Sequence, residues 1–471
     1  MFDKIAVQLG LNTTWTADVT TWGARVLLYR QYAEGNHRSN LTDNMRSMLQ
    51  VKAAADTEYN INYCNTIIQT MIDRLVVAQI DTDSKPATEW VSNMLLWNSF
   101  DVLQMDVHEA AVRDGDAYLL VGYKDNEKDK YPILSVELAW DGTVGIVPIY
   151  DPANATIIAA VKVYWDTREV DDGKGNKSNQ AMRRCNLYLP DKILRYWYDG
   201  GEFIKEDKWE AGYVPLVHFR NNTRTNTWQG ISEIAPAIGL QDSLNSVLKD
   251  MTMASTLSAF GIYVALGFKA PTQVSPGMWL QVGNEDANGN VMPIPKDQLA
   301  DVKQLSASPL AQYIEQSHYL IDQMATITRT PLSRMGSDNR SGESLKQSEI
   351  GLLAKVKKAQ TRFAESWAWA VELAQQVSLA YAKLNPAPSD DILVRVKWQN
   401  SEIRNDTESI KNALMVRDDV TPEAFLRLVA PVFGWDEATI QKEAQAKRDE
   451  NASLLAGVNG YGVGGGVDTT S

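Results

Sequence analysis

TRTPLSRMGSDNRSGESLKQSEIGLLAKVKKAQTRFAESWAWAVELAQQVSLAY, residues 328–381, joins a polar strip rich in Arg, Ser and Gly to a run whose apolar positions recur at helical spacing. Pro331 closes whatever helix precedes it, because the residue before a proline is pushed out of the α region. Gly336 and Gly342 permit a tight turn, and Ser344 with Gln347 fits a capping box. Leu352, Leu353, Val356, Phe363, Trp367, Val371, Ala374, Val377 and Tyr381 then carry one helix of about forty residues to NPAPSD, well beyond the globular average. A helix of that length rarely belongs to a small isolated domain.

Upstream of the strip, Ser308 and Pro309 open a helix whose face is Leu310, Tyr313, Ile314, Leu320, Ile321 and Met324. Another helix runs from Gly230, with Ser232 and Glu233 in its opening turn and Ile234, Ile238, Leu244, Val247, Leu248 and Met251 on its face. Residues 260–305 between them form a compact insert with strand-like pieces, FGIYVAL and GMWLQV. Further out, DAYLLVGY, YPILSVEL, VGIVPIY, TIIAAVKVYW, RRCNLYLP, KILRYWYD and VPLVHF are short runs of β-branched and aromatic residues between turn clusters. They make residues 117–219 a mostly antiparallel β region. Helices precede it at 15–35, over NYCNTIIQTMIDRLVV and at about 86–113. After the long helix, DILVRVKWQN reads as a strand, and TPEAFLRLVAPVFGWDEATIQKEAQAKRDEN as two short helices opened by Thr421 with Pro422 and by Asp436. The glycine-rich tail lacks core-forming residues.

The chain of 471 residues is long enough for several domain-sized units. Its start lacks a basic segment followed by an apolar core, and no apolar run reaches the roughly 18 residues of a membrane span, so a soluble protein without an export signal and no membrane partner are expected. A net charge of −13 argues against tight gripping of nucleic acid, which needs cations on phosphates. It is compatible with letting nucleic acid pass. Cys64 and Cys185 match no metal spacing and read as buried or half-buried thiols.

A search for chemistry returns little. HEAAV at His108 begins like a zinc-protease helix, but position 112 is Val, so an exposed helix residue is expected. GKGNKS at 173–178 is a hairpin turn, and SVLK at 246–249 lacks the partners of an acyl-transfer site. His37, His108, His218 and His318 are scattered, and acidic pairs such as Asp114 with Asp116 usually occupy solvated turns and caps. No catalytic residue, metal ligand or cofactor is assigned.

The order of parts, together with NYCNTIIQTMIDRLVV, DGDAYLLVGY, VPLVHFRNN followed by GISEIAPAIGLQDSLNSVLKD, and SGESLKQSEIGLLAKVKKAQTRFAESW, resembles the portal (head-to-tail connector) proteins of tailed bacteriophages, in particular those of long-tailed phages. The resemblance runs over about residues 15–445. It implies an α+β portal fold. Residues 1–228 would be an α/β wing, 229–257 and 308–329 the two stem helices, and 258–307 a small α/β clip. Residues 330–343 would be a tunnel loop, 344–400 the very long helix and a returning wing strand, 401–450 a helical crown and 451–471 a flexible tail. It further implies a homo-oligomeric ring, commonly of twelve subunits, at one capsid vertex of the virion, assembled in the host cytoplasm. Double-stranded DNA would pass through it without sequence specificity. Terminase large subunit, major capsid and scaffolding proteins, and later a head-to-tail adaptor, would be its partners. The alternatives are another head-tail assembly component and a phage hydrolase with a dispersed active site.

Within that resemblance, Arg329, Arg334, Ser337, Asn339, Arg340 and Lys346 are candidates to line the channel at the tunnel loop, mixed with Asp338, Glu343 and Glu349. Lys355, Lys358 and Arg362 share a basic face of the long helix, where an ordinary solvated face competes with a DNA-facing stripe. Few cations among many acids suit a conduit, since every strong phosphate contact obstructs sliding.

Overall fold

The computed structural model describes the chain except for residues 12–13, 38–59, 124–130, 152, 154–155, 172–176, 225–226, 261, 267–277, 283–300, 306–309, 332–341, 383–384, 401–405, 418–419, 434, 436–438 and 450–471. It divides into two units, Met1–Ser401 and Glu402–Ser471. The mixed α+β class expected from the sequence is observed.

In the first unit α1 (Phe2–Leu9) and α2 (Trp15–Ala33) are followed by α3 (Tyr63–Ile72), β1 (Val77–Asp81), α4 (Lys85–Trp97) and α5 (Phe100–Asp114). The stretch NYCNTIIQTMIDRLVV is therefore not helical to its end. Its last residue enters β1, which pairs antiparallel with β13 (Arg395–Trp398) 314 positions later through Asp81 and Arg395. The helix expected over 86–113 is broken in two at Asn98–Ser99. Ser99 lies in the left-handed region at φ 52°. The break is held by the Asn98 amide, which donates to Met94 O and Pro132 O and accepts from Leu134 N, all at 2.8–2.9 Å.

The β region forms two antiparallel sheets. β2 (Asp116–Gly122) lies between β3 (Ile133–Leu138) and β9 (Leu216–Arg220). β4 (Gly145–Tyr150), β5 (Ile157–Asp171), β6 (Lys177–Tyr188), β7 (Lys192–Trp197) and β8 (Glu202–Lys208) follow one another as a meander. β8 went unread in the sequence because EFIKEDK is a charged edge strand with no apolar alternation. Side-chain alternation on β2 separates two cores. Ala117, Leu119 and Val121 face a core shared with α3, α4, α5 and the long helix, while Tyr118 faces one built from α1, α2 and the five-stranded sheet. Both cysteines are buried, and burial pushes each thiol up to about 12.

Next come α6 (Ile238–Phe260), β10 (Ile262–Leu266), β11 (Met278–Val282), β12 (Asp301–Leu305) and α7 (Ala311–Thr328). β10 is central, parallel to β11 and antiparallel to β12, and α6 packs on α7. The sequence placed the start of α6 at Gly230, but the helix begins at Ile238. Residues 231–237 are a turn-rich lead-in whose polar groups are spent on tertiary contacts described below. α8 (Gly342–Tyr381) is the 40-residue helix. It already includes Gly342, so Ser344 lies inside it rather than at its cap. Phe363 and Trp367 are both fully buried.

The second unit contains α9 (Asp406–Met415), which the sequence did not reveal, α10 (Pro422–Phe433) and a final helix over 439–449. Thr421 Oγ1 accepts from Ala424 N at 3.3 Å and caps α10 as expected. Leu426, Ala430, Ile440 and Ala444 form its small core, with Trp435 against them.

Candidate functional site

The start of the 328–381 stretch packs against the root of α8. At the end of α7, Thr328 is buried and its hydroxyl donates back to Met324 O at 2.7 Å. Arg329 then turns left-handed at φ 52°, and Thr330 N closes the end by donating to Ala325 O at 3.1 Å. The left-handed residue lies against α8, because a Cβ built on Gly351 would sit 3.4 Å from Arg329 Cβ. One turn further along α8, Lys355 Nζ donates to Thr328 O at 2.7 Å and lies 2.9 Å from Glu233. Both side chains of that ion pair are nearly buried, at 14% and 6% exposure, so neither charge can be left alone cheaply.

Glu233 is itself fixed from a third direction. Its other carboxylate oxygen accepts from Asn221 Nδ2 at 3.3 Å, and its N–H donates to Val112 O at 3.1 Å. Asn221 also bonds the chain at Ile231 in both directions, N–H to O at 2.9 Å and Nδ2 to O at 3.0 Å. Close by, Gly230 passes so near Gly115 that a Cβ would lie 1.9 Å from the Gly115 carbonyl oxygen, and Gly115 has φ 91°. Only glycine fits at either position. The ends of α5 and α7, the lead-in to α6 and the root of α8 are thus clamped together. On the flank, Arg74 Nη2 reaches Glu349 at 3.3 Å, and Gln360 Nε2 donates to Arg74 O at 3.2 Å.

Deeper along α8, His108 departs from its expected exposed position: it is fully buried. Its Nδ1–H donates to Leu75 O at 2.8 Å, and its Nε2 accepts from Trp367 Nε1 at 3.0 Å. The ring stacks on Phe363 at 5.1 Å. Burial pulls the imidazole down to about 4, so at neutral pH it is an uncharged pin between α5 and α8.

Asp114 and Asp116 are likewise buried rather than solvated. Asp114 accepts from Arg30 at 2.8 Å and Arg113 at 2.8 Å. Asp116 accepts from Trp22 Nε1 at 3.1 Å, Gly230 N at 2.7 Å and His218 Nε2 at 2.8 Å. His218 Nδ1 takes the Tyr150 hydroxyl, so both its nitrogens are committed, and the hydroxyl of Ser366 donates to His218 O rather than to the ring. Burial lowers the His218 value despite the Asp116 carboxylate. With Trp22, Gly230 and Tyr150 all bonded to the Asp116–His218 pair, the arrangement ties both sheets to α2 and to the lead-in of α6. Among the described residues, no group of three or more His, Cys, Asp or Glu is placed to hold a metal ion.

The sequence-derived candidates separate in space. Arg329 is exposed at the end of α7. Arg334, Ser337, Asn339 and Arg340 lie outside the described residues, and of Lys346 the described part is its place in the first turns of α8. Lys355 is turned inward to Glu233, while Lys358 is exposed. Arg362 is half-buried in a recess with Arg220 and Thr223. Spacing alone gave Lys355, Lys358 and Arg362 one face. What it could not give was Glu233, whose carboxylate is 122 positions away.

Residues 26–453 match the family of SPP1 Gp6-like phage portal proteins. The portal protein of Mycobacterium phage D29 is 24% identical over 323 residues, covering 65% of this chain and 62% of that protein. The portal protein of Mycobacterium phage L5 is 24% identical over 326 residues with the same coverages. The chain thus spans less than two thirds of the length of these two relatives. Among solved structures, a subunit from the neck of a native gene transfer agent (GTA) particle aligns with a TM-score of 0.41 at 12% identity, covering 82% of this chain and 93% of that one. A subunit of the native GTA virion aligns with a TM-score of 0.40 at 10% identity. No described helix is long and apolar enough to cross a membrane.

Proposed function

This chain belongs to the family of SPP1 Gp6-like phage portal proteins, and from that membership we propose that it assembles as a ring at one capsid vertex of a virion. Through the ring, double-stranded DNA is packaged and later ejected. The observation that carries the reading is the family match across residues 26–453, which takes in both units and the long helix. The clamp at the root of α8 supports it mechanically. A strip that must face moving DNA needs a base that does not yield, and Thr328, Thr330, Lys355 and Glu233 supply one.

In this reading residues 330–343 are the tunnel loop, 229–257 and 308–329 the stem, 258–307 the clip and 401–450 the crown. Arg329, Arg334, Ser337, Asn339, Arg340 and Lys346 line the passage, with Lys358 on the outer face of the long helix. Terminase large subunit, capsid and scaffolding proteins and a head-to-tail adaptor dock on the ring in turn. The chain acts by confining and positioning DNA, with no catalytic step assigned to it.

Negative-stain imaging with mass measurement of the purified protein tests this directly. Rings with a central hole, at a mass near twelve subunits, are expected, and a compact monomer at all concentrations overturns the proposal. Deleting residues 333–341 is expected to leave rings intact while DNA packaging or retention falls. Loss of ring formation on that deletion would make the strip a subunit interface.

A further inference from the structure

Where β9 meets α8 the surface opens into a cleft of about 530 Å³, which continues into a polar recess of about 180 Å³. Openings of 300–1,000 Å³ bury a ligand or the side chains of a partner. Two partly exposed aromatic rings, Tyr213 and Trp369, stand at its mouth 5.6 Å apart in a T-shaped pair. Leu216 and Val217 line its wall, and Arg220 and Arg362 line its polar recess, with Glu365 the single carboxylate lining it among the described residues. Neither arginine forms an ion pair among the described residues. Tryptophan, tyrosine and arginine around a pocket are the composition of an interface hot spot.

A surface of opposite character lies on the same chain. Asp101, Val102, Met105 and Asp106 are exposed along the outer face of α5, an apolar pair bracketed by carboxylates at helical spacing. Leu96, 77% exposed at the end of α4, extends it. Asp101 and Asp106 make no ion pair among the described residues. Glu109, one turn on, lies 4.0 Å from Arg113. The ridge does not serve the cleft of its own chain. α5 turns His108 onto Phe363 and Trp367 of α8, whereas Arg362, Glu365, Ser366 and Trp369 line the cleft, so the body of α8 stands between the two surfaces.

We propose that the ridge at Asp101, Val102, Met105 and Asp106 of one copy docks in the Arg220 and Arg362 cleft of the next. The aspartates face the guanidiniums, and Val102 and Met105 lie against Trp369 and Tyr213. Such a contact joins two different patches and is therefore heterologous, the kind that repeats around a closed ring. The inference deepens the ring reading above and rests on it.

The test uses charge reversal and mixing. Arg362→Glu makes cleft and ridge both acidic, and the pair Asp101→Arg with Asp106→Arg makes both basic. Each protein alone is expected to need an at least about tenfold higher concentration to assemble than the unsubstituted chain. An equimolar mixture restores rings, because alternating copies then meet with opposite charge, and native mass spectrometry reads the alternation. Reversed proteins that assemble like the unsubstituted chain, or a mixture no better than its components with both folded by circular dichroism, overturn the docking.

If a reversed protein does not fold, Val102→Cys with Tyr213→Cys and a short bismaleimide gives the second measurement. The native cysteines are buried. A ladder of cross-linked subunits is expected, and monomers alone overturn the proposal. An unsubstituted chain that never forms rings removes the ring reading and the docking together, whereas rings indifferent to these changes remove the docking only.

Discussion

The root of α8 and the five-stranded sheet use the same residue types to opposite effect. At the root, one lysine meets one glutamate almost out of water, and deeper along α8 one histidine sits neutral between a carbonyl and an indole. On the sheet, Arg195 with Asp207, Arg183 with Asp199 and Arg168 with Glu202 form ion pairs in contact with solvent, the first of them between the neighbouring strands β7 and β8. Arg183 also lies over the Tyr198 ring at 4.5 Å. Water already serves the sheet charges, so each pair adds little. At the root water is excluded, so removing one partner strands the other.

Three measurements sharpen or break this contrast. Lys355→Ala leaves Glu233 charged and buried and is expected to cost about 3–5 kcal/mol, read as a lower urea midpoint by tryptophan fluorescence. A cost below about 1 kcal/mol would mean that the Glu233 carboxylate finds water or a proton, and the clamp would not be one. His108 gives the second measurement. Its folded value, about 4, lies below the ordinary 6.5, so the contribution of the neutral ring is complete above pH 6.5 and declines as pH falls towards 4. The stability lost over that window is about 3 kcal/mol, with His218 titrating in the same direction. His108→Gln, which cannot be protonated, should flatten the pH dependence, and an unchanged slope would remove His108 as its source. The third, Arg195→Ala on the sheet, is expected to cost at most about 1 kcal/mol and to lose even that in high salt.

The division between what the sequence revealed and what it hid follows the same line. α2, the hairpins of the β region and the 40-residue α8 are local patterns, written in spacings of two or of three and four, and they were readable without partners. The break at Ser99 depends on Asn98 finding Pro132, β1 depends on a strand 314 positions away, and β8 carries no apolar alternation at all. His108 looked like a surface residue because its neighbours Asp106 and Glu109 are polar, while its own side faces Trp367. Asp114 and Asp116 flank a glycine, as a solvated turn would have it, and only Arg30, Arg113, Trp22, Gly230 and His218 show why they are buried. Of the basic residues on the long helix, spacing alone set Lys355, Lys358 and Arg362 along one face. Nothing in the sequence marked Lys355 as the partner of Glu233, or Arg362 as sharing a recess with Arg220.

α8 is fastened at two distant stations. Near its root stands Lys355, and at its far end the Tyr381 hydroxyl accepts from Glu210 N at 2.6 Å while its ring lies 5.3 Å from Trp209. At 1.5 Å per residue the stations are about 39 Å apart. On so long a baseline, a displacement of about 1 Å at either station tilts the axis by only about 1.5°. The helix therefore carries the bearing of a surveyor's line: small errors of packing at its ends scarcely change the direction in which its first turn points.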